Sequence, residues 1–202
     1  MTANNVSHIV EAYKIIRSNI LESLGDGDGC RVITVTSPTQ SEGKTTSAIN
    51  IAVALSQTRK RVLLIDSDMR NGSVHKKLRL SSSYGLYDLL KNQTALDDAI
   101  ISAGSLDVIV SGGQVSDPSD LLFSDTYENL ISGLRFAYDY IVVDTASVCD
   151  FKDALYVSKL SDGAVLVVRE KKSAYRKIDT AIKLLTDYGV RILGSVINAS
   201  AE

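Results

Sequence analysis

Arg31-Val32-Ile33-Thr34-Val35-Thr36 runs straight into Ser37-Pro38-Thr39-Gln40-Ser41-Glu42-Gly43-Lys44-Thr45-Thr46. Ser47–Ser56 follows, with Ile49, Val53 and several alanines at helical spacing. The first run is apolar and β-branched, the pattern of a buried strand. A strand, a small-residue loop ending in Gly-Lys-Thr and then a helix is the context that makes a short motif a phosphate-binding loop. Unpaired N–H groups at the helix start face the loop, and the helix dipole adds positive potential there. Gln40, Ser41, Glu42, Gly43, Lys44, Thr45 and Thr46 are therefore candidate nucleotide-binding residues. Lys44 would reach the outer phosphates, and the Thr45 hydroxyl would take a place on Mg²⁺. Two positions depart from the general pattern. Pro38 stands where a Gly is usual and has no N–H to donate. Ser41 would cost ~1 kcal/mol or more if its place in the loop requires positive φ.

Further apolar runs end the same way. Arg61-Val62-Leu63-Leu64-Ile65-Asp66-Ser67-Asp68 reads as a second buried strand with two carboxylates at its C-terminal end. Ligands of open parallel sheets sit beyond that end of the strands, so Asp66 and Asp68 should share a crevice with the phosphate loop. Leu106–Val110 is a third short strand. Tyr140-Ile141-Val142-Val143-Asp144 is a fourth, whose terminal Asp reads as a Walker B carboxylate contacting Mg²⁺ directly or through water. Ala164–Val168 and Arg191–Ile197 are the fifth and sixth strands, the last ending at Asn198. Helical stretches separate them: Tyr127–Phe136, Asp150–Leu160 and Tyr175–Tyr188. Residues 71–105 read as two short helices with turns. Asp117 and Pro118 suit the cap and first position of a further helix. This alternation predicts an α/β fold, a mostly parallel sheet covered by helices on both faces with the phosphate-loop strand central.

Before the first strand, residues 7–24 read as a helix. Ser7 can cap it, and Ile9, Val10, Tyr13, Ile16, Ile20 and Leu24 give an apolar stripe. Glycine-rich 25–30 is a linker. The 202 residues suit a single domain, 1–202, with 1–24 as its N-terminal helical segment. A formal net charge of −2 gives no reason to expect nucleic acid as a partner. No run of 18 apolar residues and no signal-peptide pattern occurs, which points to the cytoplasm. Cys30 and Cys149, far apart and without metal-ligand spacing, read as reduced, buried residues.

Taken together, Glu42-Gly43-Lys44-Thr45-Thr46, Leu64-Ile65-Asp66-Ser67-Asp68-Met69-Arg70, Gly112-Gly113 with Pro118-Ser119-Asp120-Leu121-Leu122, Tyr140–Thr145, Asp153-Ala154 and Asp162–Arg169 resemble the bacterial tyrosine kinases of capsule and exopolysaccharide synthesis. These belong to the wider phosphate-loop ATPases that include the division-site and plasmid-partition proteins. The partition and division-site proteins carry a signature Lys where this chain has Thr39. The resemblance implies ATP·Mg²⁺-dependent autophosphorylation of tyrosines between neighbouring subunits, with ATP or ADP and Mg²⁺ as cofactors. It implies that Lys44, Asp66, Asp68 and Asp144 are catalytic, that Thr45, Asp66 and Asp144 serve the metal, and that Asn198 contacts the adenine. It also implies that Glu11, Lys14 and Arg17 form an interface in a ring-like homo-oligomer. With no membrane span in this chain, it further implies a separate membrane-anchored activator that brings a cytoplasmic protein to the membrane. Family members end in a tyrosine cluster, whereas the last tyrosine here is Tyr188. A nucleotide-binding scaffold that transfers no phosphate is the alternative expectation.

Overall fold

The structure is a computed structural model describing residues 3–25, 27–113 and 115–198, with side chains from residue 8 onward. A seven-stranded sheet runs through it, made of β1 (Arg31–Thr36), β2 (Val62–Asp66), β3 (Ile100–Ala103), β4 (Leu106–Ile109), β5 (Tyr140–Asp144), β6 (Gly163–Arg169) and β7 (Ile192–Asn198). Its order is β3-β4-β2-β5-β1-β6-β7, and every pairing is parallel except β3 with β4. The phosphate-loop strand β1 is interior, between β5 and β6, in keeping with the expected central place.

Both faces of the sheet are covered because successive side chains of a strand point opposite ways. Val62 and Leu64 of β2 join Val142 of β5 and Ile33 and Val35 of β1 in one apolar cluster. That cluster packs under α1 (Ala3–Leu24) and α2 (Lys44–Ser56), through Ile20, Leu24, Ala48, Ile51 and Leu55. Leu63 and Ile65 point the other way with Ile141 and Val143. They meet α4 (Leu86–Leu90) and α7 (Asp125–Leu134) through Leu86, Tyr127, Ile131 and Leu134. A third cluster joins Ala164, Leu166 and Val168 of β6 to α8 (Asp153–Lys159) and α9 (Tyr175–Asp187). Strands buried on both faces have apolar residues at nearly every position, which is why β2 and β5 read so plainly.

The structure corrects several local expectations. Residues 71–105 hold α3 (Val74–Leu78), α4 and α5 (Leu96–Ala99), and also β3, which pairs antiparallel with β4 through a turn at Gly104-Ser105. Gly104 has φ 70, which glycine takes without a Cβ clash. The first helix begins at Ala3, so Ser7 lies within it rather than capping it; the Ser7 side chain is outside the described residues. In α6 (Ser119–Leu122), Pro118 occupies the cap position. The Asp117 carboxylate nevertheless accepts the Ser119 N–H at 3.2 Å. Both cysteines are free but only half-buried.

Candidate nucleotide and phosphoryl-transfer site

The site stands at the C-terminal ends of β1, β2 and β5. Gly43 precedes α2 with φ 98, and a Cβ there would strike the Asn198 amide at 2.0 Å, so only glycine fits. Asn198 donates from that amide to the Glu42 carbonyl at 3.1 Å and braces the loop from the end of β7. Ser41 does take positive φ, 61, the strained state anticipated from the sequence. The Glu42 side chain turns inward, fully buried, and its Oε1 accepts the Thr39 hydroxyl at 2.5 Å. Its contribution to the loop's outer surface is therefore through the backbone alone. A cavity of about 680 Å³ opens over the loop, lined by Gln40, Ser41, Gly43, Lys44, Thr45, Thr46 and Asn198. Asn71, Ser73, Lys77 and Arg169 complete the lining; of these only Arg169 falls in a segment that carries the family resemblance. A second cavity, about 650 Å³, lies at the opposite ends of the strands near Arg31 and Arg135 and contains none of this chemistry.

Three carboxylates converge beneath the cavity. The Lys44 ammonium pairs with Asp68 Oδ2 at 2.8 Å, and both side chains are almost wholly buried. The other Asp68 oxygen accepts the Asn71 N–H at 3.0 Å. Asp66 Oδ2 accepts the N–H groups of Ser73 and Val74 at 3.0 and 3.1 Å, and its Oδ1 accepts that of Asp68 at 3.2 Å. Asp144 sits directly across from Asp66 in the parallel register of β2 and β5. It is fully buried, and neither of its oxygens has a hydrogen-bond partner of ordinary geometry among the described residues. Burial and the neighbouring Asp66 charge push the Asp144 pKa well above the usual carboxylate range, against the pull of Lys44. Burial also raises Asp66, opposed by the N–H donated from Val74. Burial acts to lower the Lys44 pKa, but Asp144, Asp68 and Asp66 outweigh it and hold the ammonium above its ordinary value.

This donor set fits Mg²⁺. Buried carboxylate oxygens without partners are costly unless a cation completes them. Among the described residues no three of His, Cys, Asp and Glu form a ready metal cage. Mg²⁺ does not need one, because it keeps waters and substrate phosphates and takes only one or two carboxylates from a protein. Asp144, Asp66 and the Thr45 hydroxyl, itself bonded to Ser73 Oγ at 3.2 Å, are the residues that could serve it.

An arginine ties the neighbouring loops together. Arg70 bonds Asp153 of α8 at 2.9 Å, Asp117 at 3.0 Å and the Ser116 carbonyl, and its guanidinium lies 4.5 Å from the Phe151 ring centre. The Ser119 hydroxyl lies within hydrogen-bond distance of both Asp153, at 2.8 Å, and Asp117, at 2.6 Å, and can donate to either. The Asp66–Arg70, Pro118–Leu122 and Asp153-Ala154 segments, scattered in sequence, are thus one hydrogen-bonded unit beside Asp68.

The proposed interface residues lie elsewhere, on α1. Glu11 and Lys14 form an exposed pair at 3.1 Å. Arg17 is turned inward and donates to the Ala54 carbonyl of α2 at 2.8 Å. Tyr13 donates to Ser47 at 3.2 Å, so α1 is bonded to the helix that carries the phosphate loop.

A phosphate loop on an interior strand, with acidic ends on the adjacent strand β5 and on β2 beyond it, defines a P-loop nucleotide-binding protein. The fold agrees: the septum site-determining protein MinD from Pyrococcus horikoshii, solved with Mg-ADP, superposes with a TM-score of 0.71 at 25% identity, over 84% of this chain and 70% of that one. An AAA domain family matches residues 30–186. Within that class the chain belongs to the bacterial tyrosine-protein kinase family. It is 32% identical to the tyrosine-protein kinase YwqD of Bacillus subtilis, over 93% of this chain and 80% of YwqD. The kinase domain of the Escherichia coli tyrosine kinase ETK superposes with a TM-score of 0.89 at 28% identity, over 94% of this chain and 75% of that one. The chain spans only 26% of the length of the tyrosine-protein kinase Ptk of Acinetobacter johnsonii, which it matches at 29% identity.

Proposed function

We propose that this chain is an ATP-dependent protein-tyrosine kinase, able to phosphorylate its own kind, that acts in capsular or exopolysaccharide synthesis beside a membrane-anchored activator. The observation that carries the catalytic part is the Lys44–Asp68 pair, which joins the phosphate loop to the buried carboxylates of β2 and β5. Family membership supports the rest, and no described helix is long and apolar enough to cross a membrane itself. Phosphoryl transfer needs positioning and charge neutralisation more than covalent chemistry. Backbone N–H groups of the loop and Lys44 hold the phosphates, and Asn198 borders the nucleotide's far end. Thr45, Asp66 and Asp144 would hold Mg²⁺, which would supply neutralising charge on the phosphate oxygens. Asp68 orients the acceptor hydroxyl and takes its proton. Lys44 is paired with Asp68 at 2.8 Å, so a lysine drawn to the phosphates would release that carboxylate for the acceptor. Incubating the chain with ATP and Mg²⁺ should place phosphate on tyrosine of an added acceptor peptide. Tight ADP binding with no phosphotyrosine, in the presence of the activator, would overturn the kinase assignment.

Glu11, Lys14 and Arg17 contribute to contacts in a homo-oligomer under this reading. Glu11 and Lys14 are available for that, whereas Arg17 would have to exchange its bond to Ala54. Replacing Glu11 and Arg17 with Ala should leave the fold intact: the exposed Glu11 charge contributes only ~0–1 kcal/mol, and the Arg17 bond to Ala54 about 1.5–3 kcal/mol. It should dissociate any higher oligomer. An unchanged mass by light scattering, where the parent oligomerises, would remove these residues from the interface.

A further inference from the structure

The nine tyrosines of this chain differ sharply in access. Tyr127 and Tyr138 are buried and hydrogen-bonded to Ser67 and Asp107. Tyr13 is bonded to Ser47, Tyr156 packs on the Phe123 ring, and Tyr188 lies under the Lys159 ammonium. Tyr175 is 87% exposed, and no hydrogen bond, ion pair or ring contact holds it among the described residues. It is the first residue of α9, whose first turn carries no acidic side chain. Lys171 and Lys172 precede it and Arg176 and Lys177 follow it.

This tyrosine is also close in sequence to the mouth of the site. Arg169, six residues before it at the end of β6, lines the nucleotide cavity. The Lys172 ammonium, three residues before it, donates to the carbonyls of Gln40 and Ser41 in the phosphate loop at 3.0 and 3.3 Å. Tyr175 itself is not part of the cavity lining, and its exposure leaves it available to another molecule.

We infer that Tyr175 is a phosphoryl acceptor of this kinase, modified by a second copy of the chain; this rests on the kinase assignment above. The phenol needs no local unfolding to enter another copy's site. In the transfer, the bond from the γ-phosphorus to the β–γ bridging oxygen breaks, and a new P–O bond forms to Tyr175 Oη. The phenolic proton passes to Asp68 of the second copy, and ADP leaves. The product carries close to two negative charges amid four basic residues, where new charge-assisted hydrogen bonds can hold it. Lys172 is among them, so the phosphate competes with the Gln40 and Ser41 carbonyls for a cation of the phosphate loop.

The test uses the full chain with ATP and Mg²⁺, in the presence and absence of a poly(Glu,Tyr) acceptor, with phosphotyrosine located by mass spectrometry. The parent should carry phosphate on Tyr175. Tyr175→Phe, a mild change at an exposed position, should lose most of its own phosphotyrosine yet phosphorylate the added acceptor as the parent does. Mixing Lys44→Met chains with Tyr175→Phe chains should place phosphate on Tyr175 of the former, the mark of transfer between copies. Phosphorylated acceptor with Tyr175 unmodified would overturn this inference and leave the kinase assignment standing. No transfer to either would overturn both.

Discussion

Asp68→Asn should slow phosphoryl transfer to tyrosine by ~10²–10⁴-fold, the usual worth of a positioned acid or base. A tyrosine hydroxyl, with an ordinary pKa near 10, is almost wholly protonated at neutral pH. Asp68, in the loop that follows β2, has one oxygen on Lys44 and the other on the Asn71 N–H, and the oxygen that Lys44 would give up to the phosphates is the one that can take the proton. Asparagine is nearly isosteric and keeps an acceptor oxygen for one of these contacts, but it cannot take up the proton. Lys44 still faces Asp66 and Asp144 in the variant and is no longer held by a full charge at 2.8 Å. Affinity for ADP should therefore match the parent's or exceed it. Single-turnover transfer to an acceptor peptide, paired with calorimetric ADP titration, separates the two effects. Equal transfer rates would remove Asp68 from the mechanism, and a parallel loss of ADP affinity would make its role one of binding.

Lys44→Met should weaken nucleotide binding by about 10–150-fold, the equivalent of one charge-assisted bond of ~1.5–3 kcal/mol to phosphate. Methionine has good helix propensity, so the start of α2 should persist. The variant also strands Asp68 as a buried carboxylate without its partner. Breaking a buried pair from one side costs roughly 3–5 kcal/mol, and proton uptake by the carboxylates offsets part of this. The pH dependence follows from the direction of the shifts. Asp66 and Asp144 already have raised pKa values, so the folded chain binds more protons than the unfolded chain as pH rises past the ordinary carboxylate range. Stability then falls with increasing pH through that window, and without the Lys44 charge the fall should be steeper. Thermal denaturation of metal-free parent and variant, at mildly acidic and mildly alkaline pH, measures the difference. A variant binding ADP as tightly as the parent would refute the phosphate role of Lys44, and a stability gap independent of pH would refute the electrostatic account.

The Arg70 cluster shows how far the sequence reaches. Arg70, Ser119 and Asp153 each stand in a segment that carries the family resemblance, yet nothing local gives them a role. Their bonds cross 49 and 83 residues, and no short-range pattern encodes such a distance. Strand β3 went unread for a different reason. Ile100-Ile101-Ser102-Ala103 is short, follows a helical turn and pairs at the sheet edge, where only one neighbouring strand supports it. The Gly104-Ser105 turn between two apolar runs was the one local signal of the hairpin. Arg17 looked like part of an exposed charged face because spacing alone cannot tell which side of a helix a neighbour covers.

By itself the sequence determined the phosphate loop, the buried strands around it and the carboxylates that end them. Those signals are local: apolar β-branched runs, helical spacing after Gly-Lys-Thr, and a polar residue where a buried strand emerges. It also determined the parallel character of the sheet, since strands joined through helices must return to the same end. The tertiary structure alone decided the strand order, which inserts β5 between β1 and β2 and sets Asp144 against Asp66. It decided that Lys44 lies on Asp68, 24 residues away, and that Asp144 is left buried with no hydrogen-bond partner among the described residues. Side-chain geometry at a few ångströms depends on how whole elements pack, because each of these contacts joins residues that only the completed sheet brings together.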